Sequence, residues 1–251
     1  MNLLEYQRAV LRLSLSLAPD ARELPAFSLY RHMVRTRFVA MARVAFRRSW
    51  SLLGEAACEA SFARFLDSPG PRSPILREVI ASFGEHACAD PTLLAQAHPA
   101  AVDLLRFELA KWRIAAADAR TPPTWQVREL DFEGVLVPNP NLSSLALQHE
   151  VAEEGEPSSA LDPHTLLVYR REGEEHVHWY RAPALLADLL APSAQHGQTL
   201  ATLVQAAFAR RREAPEELLE ELAQALTVAL ERGVLKGVRD ADAPSAPSSL
   251  E

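Results

Sequence analysis

The 251-residue sequence is poor in the residue types that most often carry chemistry. It contains 2 cysteines, 9 glycines and only 7% aromatic residues. Cys58 and Cys88 are too few and too far apart for a disulfide framework or a cysteine-rich metal site, and the apolar helical pattern around each predicts a structural thiol. The shortage of glycine argues against a phosphate-binding loop. The low aromatic content gives no sign of a surface on which bases would stack.

Catalytic and targeting motifs are missing as well. The chain has no nucleophile elbow, no Gly-rich phosphate loop and no His-Glu-x-x-His motif. No uninterrupted apolar run reaches the ~18 residues of a membrane span, and Glu5 stands where a signal peptide would carry lysines. We therefore predict a cytoplasmic binding protein that is not an enzyme. We expect it to have no cofactor or metal of its own and no membrane or nucleic-acid partner.

Positive charge is scarce overall but unevenly distributed. The formal net charge is -7, from 26 basic and 33 acidic residues. Residues 1–120 carry 16 basic and 12 acidic side chains (+4), whereas residues 121–251 carry 10 and 21 (-11). The sign changes at Thr121-Pro122-Pro123-Thr124, a rigid and non-helical tetrapeptide. We predict domains at 1–120 and 125–239, followed by a flexible Pro/Ser/Ala-rich tail at 240–251.

Apolar spacing predicts helices throughout the first half of the chain. Five helices are expected, at about residues 3–15, 27–49 and 55–67, from Ser73 to Phe83, and from Pro99 to Ala116. In the second of these, Leu29, Met33, Ala40 and Val44 share one side. We expect that side to pack in the core of a compact helical bundle.

The second half combines strand and helix patterns. Strands are predicted at residues 125–132, 135–137, 142–147, 165–170, 176–181 and 234–238, and helices from Pro183, at 199–212 and at 215–232. The predicted fold class is α+β. It consists of an N-terminal all-α helical bundle and a C-terminal α+β domain with a small sheet and winged-helix-like terminal helices.

An arginine-rich helix is the first candidate site. Arg31 and Arg35 are four residues apart, as are Arg43 and Arg47, so each pair projects from one side of a helix. Three interpretations are open: a solvated face of the bundle, a surface for an acidic protein partner, or a contact with DNA phosphates. We take these four arginines as candidates for a partner interface.

The segment His176-Val177-His178 is a second candidate. Alternate residues of a strand point to one side, so both imidazoles could reach one metal ion. Two histidines without a third ligand are a weak signal, and in a polar hairpin such residues are more often exposed cross-strand neighbours. No metal ligands are therefore predicted.

Several short motifs together resemble a known bacterial family. They are Leu29-Tyr30-Arg31, Trp50-Ser51-Leu52-Leu53-Gly54, Asp103-Leu104-Leu105-Arg106-Phe107-Glu108, Val135-Leu136-Val137-Pro138-Asn139-Pro140, Leu166-Leu167-Val168-Tyr169-Arg170 and Gly197-Gln198-Thr199-Leu200. With these motifs, the stretch of roughly 3–238 is similar to the HvfC/BufC peptide-modification chaperones, a family once labelled DNA-binding. Members pair with a TIM-barrel, multinuclear non-haem iron oxidative enzyme. That enzyme modifies cysteines in a ribosomally synthesised precursor peptide.

The resemblance implies a non-catalytic partner subunit in such a biosynthesis. It would form a heterodimer with the iron oxidase, which holds the iron, and would bind the leader of the precursor peptide. An extended leader can add to a free sheet edge as a further strand. Our candidate edge residues are Val135, Leu136, Val137, Leu142, Leu145 and Leu147. The alternative is that these strands are internal to the sheet.

Two other function classes remain as alternatives. A DNA-binding transcriptional regulator could use residues 199–212 and 215–232 as a helix-turn-helix, and Arg210-Arg211-Arg212 favours this. Against it, the second helix carries four glutamates that would repel phosphates: Glu216, Glu217, Glu220 and Glu221. An enzyme in its own right is the third class, which metal analysis of the pure protein addresses.

Overall fold

The structure is a computed structural model, which describes residues 25–67, 70–71, 73, 75–95, 97–117, 129–191, 197–211 and 215–240. Helices and antiparallel strands are both present, so the predicted α+β class is confirmed. The helix predicted at 3–15, the linker at 121–124 and residues 241–251 of the predicted tail lie outside the described residues. None of the described helices combines the length and the apolar character needed to cross a membrane.

The chain divides into two compact units. The helical unit contains the chain up to Ala116 together with Gln148–Asp162, and the mixed unit contains Ala117–Leu147 and the chain from Pro163 onward. The acidic segment after the second strand therefore packs with the helices, although it lies in the half of the sequence that we predict to hold the strands.

Six helices form the described part of the helical unit. They are α1 (Pro25–Ala45), α2 (Arg47–Leu53), α3 (Glu55–Asp67), α4 (Leu76–Ala89), α5 (Pro91–Leu94) and α6 (Ala101–Ala116). Helix α3 has the bounds that the sequence predicts. The short helix α5 was not predicted, because four residues are too few for an apolar period. Its start is fixed by the Asp90 carboxylate, which accepts the N–H groups of Thr92 and Leu93.

The helix predicted at 27–49 is interrupted at Phe46, whose φ of -115° and ψ of 41° are not helical. Glu108 on α6 explains why a new helix can begin there. Its carboxylate accepts the N–H groups of Arg48 at 3.0 Å and Ser49 at 2.9 Å, and the Ser49 hydroxyl at 2.6 Å. The first N–H groups of a helix have no intrahelical acceptor, and a distant carboxylate supplies it for α2.

The prediction of which side of α1 packs in the core is wrong. The side chains expected in the core are exposed: Leu29 (62%), Met33 (61%), Ala40 and Val44 (69%). Instead Phe38 and Ala42 are buried, and Phe46 continues the same four-residue spacing. The ring of Phe46 packs edge-on against Phe83 of α4 with centroids 5.8 Å apart. Burial of two aromatic rings on this side outweighs burial of the smaller aliphatic set.

An aromatic cluster forms the centre of the helical core. Four rings lie within 4.6 to 6.2 Å of Phe83, centroid to centroid: Phe46, Trp50, Phe62 and Phe65. The neighbouring Gly84 permits this approach, because a Cβ there would lie 2.6 Å from Phe46 Cζ and 2.8 Å from Leu109 Cδ1. A side chain at position 84 would therefore push α4 away from α6 and from the Phe46 ring.

The mixed unit contains five strands and three helices within the described residues. They are β1 (Val135–Pro138), β2 (Leu142–Leu147), β3 (His164–Arg170), β4 (Val177–Ala182), α7 (Ala184–Leu189), α8 (Leu200–Phe208), α9 (Pro215–Glu231) and β5 (Leu235–Arg239). These elements agree with the predicted pattern to within a few residues, except for the strand predicted at 125–132. Its last four residues, 129–132, are not in a strand, and Asp131 closes a turn by accepting the N–H of Gly134 at 2.6 Å.

The strands form two antiparallel sheets. β1 pairs with β5, while β2, β3 and β4 form a three-stranded sheet in that order. In the larger sheet Leu142 lies opposite Tyr169, and Tyr169 lies opposite His178. Leu167 and Tyr169 of β3 belong to the apolar core that also contains the buried sides of α7, α8 and α9.

Candidate peptide-binding edge

The outer edge of β2 is the first candidate site. β2 is the first strand in the order β2-β3-β4, so its outer side has no strand partner in the part of the chain that the structure describes. Ser144 and Ala146 are exposed, Leu142 and Leu145 are half-buried, and Leu147 is buried. An edge strand presents unpaired N–H and C=O groups, which can pair with another extended chain.

The ladder between β2 and β3 determines which backbone groups point outward. Arg170 donates its N–H to the Asn141 carbonyl at 3.2 Å, which makes these two residues a hydrogen-bonded pair. In an antiparallel ladder such pairs alternate with non-hydrogen-bonded pairs, whose N–H and C=O point away from the neighbouring strand. Counted from Asn141, the outward-facing groups belong to Leu142, Ser144 and Ala146.

The predicted edge residues of β2 therefore differ in whether their backbone groups point outward, toward a peptide that could bind there. Leu142 presents its backbone outward, while its side chain packs against the core of the mixed unit. Leu145 and Leu147 pair with β3, and their side chains lie on the opposite face of the sheet. Ser144 and Ala146 were not predicted as site residues, although they present their backbone outward. Only the long-range register identifies them.

The other predicted segment, β1, lies in a different environment. Val135, Leu136 and Val137 are all buried, and β5 pairs with them along one side. On the other side Val135 forms a bridge to Thr199, and Leu200 donates its N–H to the Gly134 carbonyl. Backbone groups at the start of β1 are therefore already paired on both sides. β2 is the better candidate for strand addition.

Asn139 fixes the turn that leads from β1 to β2. Its side-chain amide donates to the carbonyls of Arg170 at 3.0 Å and Gly233 at 2.7 Å, and its Oδ1 accepts the N–H of Asn141 at 2.8 Å. Its own N–H donates to Val234. Residues 138–141 thus form a hydrogen-bonded turn around the buried Asn139, and this turn positions the start of the edge strand.

The predicted partner arginines are engaged to different degrees. Arg43 forms ion pairs with Glu55 and with Glu59, whose carboxylate lies 3.4 Å from the guanidinium. Arg47 is exposed, as is Arg37, and neither forms an ion pair with any residue that the structure describes. The six arginines between 31 and 48 do not act as one uniform surface.

Arg31 and Arg35 lie half-buried on α1. Burial lowers the pKa of Arg35, whereas the nearby Asp67 carboxylate acts in the opposite direction. Arg31 lowers the pKa of Arg35 further through like-charge repulsion. These two side chains are less accessible to a partner than Arg47.

A second polar network holds the acidic segment 148–162 on the helical unit. The Arg48 guanidinium donates to the carbonyls of Val151 at 2.5 Å and Gly155 at 3.1 Å. The buried Asp103 carboxylate accepts the backbone N–H of His149 at 3.0 Å, and His149 Nδ1 lies 2.9 Å from the same oxygen. Asp103, Glu108 and Arg48 therefore serve packing. In the sequence these three charged residues follow a pattern typical of a solvated surface, and nothing there indicates that they are buried or half-buried.

The histidine and cysteine candidates show no catalytic geometry. His178 Nε2 lies 2.5 Å from Glu174 Oε2, and its ring stacks on Tyr169 at 5.7 Å. Within the described residues, His178 belongs to no group of three close metal-ligating atoms. Both thiols are free, and burial raises the pKa of Cys58 to about 12 and that of Cys88 to about 11. Neither is activated as a nucleophile.

Comparison of the chain with protein-family models and with curated proteins finds no match in either.

Proposed function

We propose that this protein is a non-catalytic partner subunit that binds the leader of a ribosomally synthesised precursor peptide by strand addition to β2. The observation that carries the proposal is the outward orientation of the backbone groups of Leu142, Ser144 and Ala146. Main-chain hydrogen bonds to these groups would provide affinity, and alternate side chains of the leader would set its register. The buried Asn139 turn supports this role because it fixes where the edge begins.

The partner in this proposal is a TIM-barrel, multinuclear non-haem iron oxidative enzyme that modifies cysteines of the same precursor. The motifs described above and their resemblance to the HvfC/BufC chaperones support this assignment. In the heterodimer the oxidase supplies the iron and the chemistry, whereas this chain presents the peptide. We place the complex in the cytoplasm. The exposed Arg47 is the strongest of the four arginines as an interface residue.

The proposal also includes the architecture of the two domains. We describe the chain as an all-α bundle domain and an α+β peptide-binding domain whose terminal helices are winged-helix-like. Three features of the mixed unit support the winged-helix description: α8 and α9 are followed directly by β5, β5 pairs with β1, and Thr199 bridges to Val135.

Strand addition at β2 has a direct test in the substitution Ser144→Pro. Proline removes the outward N–H of position 144 but leaves the β2–β3 hydrogen bonds in place. Ser144→Ala keeps this N–H and serves as the matched control. The peptide encoded by a short cysteine-containing reading frame beside an oxidase gene is the ligand, with binding measured by fluorescence anisotropy. We expect affinity to fall about tenfold in the proline variant, the loss of roughly one hydrogen bond to a rigid edge. Equal affinity in both variants would remove β2 as the binding edge.

The subunit role is tested separately by activity. The oxidase from the same gene neighbourhood should co-purify with this chain, and modification of its precursor should depend on it. Full oxidase activity without this chain would contradict the proposal, whichever edge the peptide uses.

Transcriptional regulation is less well supported. The second helix of the suggested helix-turn-helix, α9, exposes Glu216, Glu217, Glu220 and Glu221. Arg211, three residues beyond the end of α8, donates to Asp188 at 3.1 Å, and Arg210 lies 3.8 Å from the same carboxylate. An acidic helix face and paired arginines both oppose DNA binding. A salt-dependent gel shift with the full chain would revive this alternative.

A further inference from the structure

Helix α1 has a second apolar face, and this face is exposed. The buried side of α1 packs in the helical core through Phe38 and Ala42. Leu29, Met33, Arg37, Ala40 and Val44 lie on the other side, where all five are exposed. We call these five residues the outer face of α1. Their spacings of four, four, three and four residues place them along one line of the helix.

We propose that the outer face of α1 binds an amphipathic helix of a protein partner whose flanks carry carboxylates. From Leu29 to Val44 the face extends over about 22 Å at 1.5 Å per residue, the length of about four helical turns. Two amphipathic helices pack through apolar side chains repeated at this spacing. This surface lies in the helical unit and does not involve the β2 edge. Because its end adjoins Arg47, it rests on the partner interface in the proposed function and describes the chemistry that such a partner would need.

Charge determines the chemistry of the partner. Residues 24–54 contain six arginines and no aspartate or glutamate, in a chain whose net charge is -7. Arg37 lies in the middle of the outer face and Arg47 lies just beyond its end, and both are exposed. Arg43, beside the face, is already paired with Glu55 and Glu59 of α3. Carboxylates on the partner helix would complement Arg37 and Arg47 and steer its approach.

The same residues disfavour two other occupants. A second copy of this chain would place Arg37 close to its own symmetry mate across a two-fold axis, which costs free energy through like-charge repulsion. A lipid surface prefers a wide apolar face with aromatic anchors, whereas the outer face has no aromatic residue and Arg37 interrupts it. An acidic helix satisfies both the apolar side chains and the cations.

A designed helix provides the probe, because the natural partner is not needed to test the chemistry. The probe is a stapled peptide of about 16 residues, roughly 24 Å long, with leucines on one face and glutamates on both flanks. Its control has lysine at every glutamate position. Binding to the full chain is measured by isothermal titration calorimetry, and circular dichroism checks that each variant is folded.

We expect the acidic peptide to bind the wild-type chain at least about tenfold more tightly than the basic peptide. Met33→Asp should abolish the binding, and Arg37→Glu should weaken it about tenfold. Arg43→Ala, at the paired arginine beside the face, is the matched control and should change affinity less than about twofold. The Ser144→Pro variant should bind the acidic peptide as the wild type does, which separates this surface from the β2 edge.

Three outcomes would overturn the proposal. The first is that the acidic and basic peptides bind equally. The second is that Met33→Asp leaves binding of the acidic peptide unchanged. In the third, the acidic peptide fails to bind while Met33→Asp either dissolves a dimer seen by analytical ultracentrifugation or removes binding to phosphatidylserine vesicles. That outcome would assign the outer face to a second copy or to a membrane.

Discussion

In the two units of this chain, different chemical groups make the buried hydrogen bonds that join separate segments. In the helical unit three buried carboxylates join segments that are distant in sequence: Asp90, Asp103 and Glu108. In the mixed unit the corresponding role falls to one buried amide, Asn139, and among the described residues this unit has no buried acid. The rest of its core is aliphatic, apart from Tyr169. One unit therefore depends on charge at its buried turns, and the other does not.

Asp90 shows most clearly what a buried carboxylate does here. It accepts hydrogen bonds from the Ser61 hydroxyl and the Arg64 guanidinium, both at 2.6 Å, and from the N–H groups of Thr92 and Leu93. Burial by itself raises the pKa of Asp90, but the hydrogen bonds from Ser61, Arg64 and Leu93 outweigh it and lower the pKa to about 2. The hydrogen bonds at the junction of α3, α4 and α5 thus favour the charged form of Asp90.

Asn139 joins separate segments in a similar way, but its side chain carries no charge. It serves as donor to two carbonyls and as acceptor from one N–H, so its amide is satisfied on both sides. An amide does not titrate, so this turn keeps its hydrogen bonds at any pH at which the unit is folded. We therefore expect acid to weaken the Asp90 junction of the helical unit and to leave the Asn139 turn of the mixed unit unchanged.

The largest effect is expected from Asp90→Ala. The substitution leaves the buried Ser61 hydroxyl and two N–H groups without their acceptor and removes the partner of Arg64. We expect the free energy of unfolding of the helical unit to fall by about 3 to 4 kcal/mol. Urea unfolding monitored by hydrogen exchange of α3 and α4 measures it. A loss below about 1 kcal/mol would show that the Asp90 network does not hold these helices together.

Acidification should give the next largest effect, and only in the helical unit. The pKa of Asp90 is about 2 in the folded chain and ~3.9 in an unfolded one. Its contribution to stability is therefore nearly complete above about pH 4 and is lost as the pH falls toward 2, with a total of about 2 to 3 kcal/mol. Hydrogen exchange with mass spectrometry follows both units at once. Loss of protection in the mixed unit before the helical unit would contradict the comparison.

The sequence predicted those elements whose signals are local. Helix α3 shows its apolar period, and the β3–β4 hairpin shows its turn at Gly173, whose φ is +76°. The pairing of β1 with β5 places Val135 opposite Arg239, and no local pattern encodes a contact so distant in sequence. The identity of the edge strand depends on such contacts as well. For that reason the sequence could suggest both β1 and β2 but could not choose between them.

The sequence also did not indicate which charged side chains are buried. Asp103 and Glu108 resemble ordinary solvated acids on α6, because their acceptor role becomes visible only when His149 and Ser49 approach from other segments. The inner face of α1 was missed for a related reason. That helix has two apolar stripes, and the one that continues to Phe46 is buried because it packs in the core that contains Phe83 of α4.

Asn139→Ala should destabilise the mixed unit by a smaller amount than Asp90→Ala destabilises the helical unit. It leaves the carbonyls of Arg170 and Gly233 and the N–H of Asn141 without their side-chain partner, at a cost of about 2 kcal/mol. Unlike the effect of acid on Asp90, this loss should not depend on pH between about 3 and 7. Denaturant unfolding at the two pH values measures it. A loss that grows at low pH would mean that a titrating group supports this turn.

The smallest effect is expected where a charge pair lies at the surface. Arg43 and Glu59 are each about half exposed, with the guanidinium 3.4 Å from the carboxylate. Arg64 and Asp90 form the contrasting pair, since the Asp90 side chain is only 4% exposed. Glu59→Ala should therefore cost at most about 0.5 kcal/mol at low salt and nothing measurable at high salt. Urea unfolding at both salt concentrations measures it. A loss near that of Asp90→Ala would show that ion pairing itself, rather than burial of the carboxylate, distinguishes the helical unit.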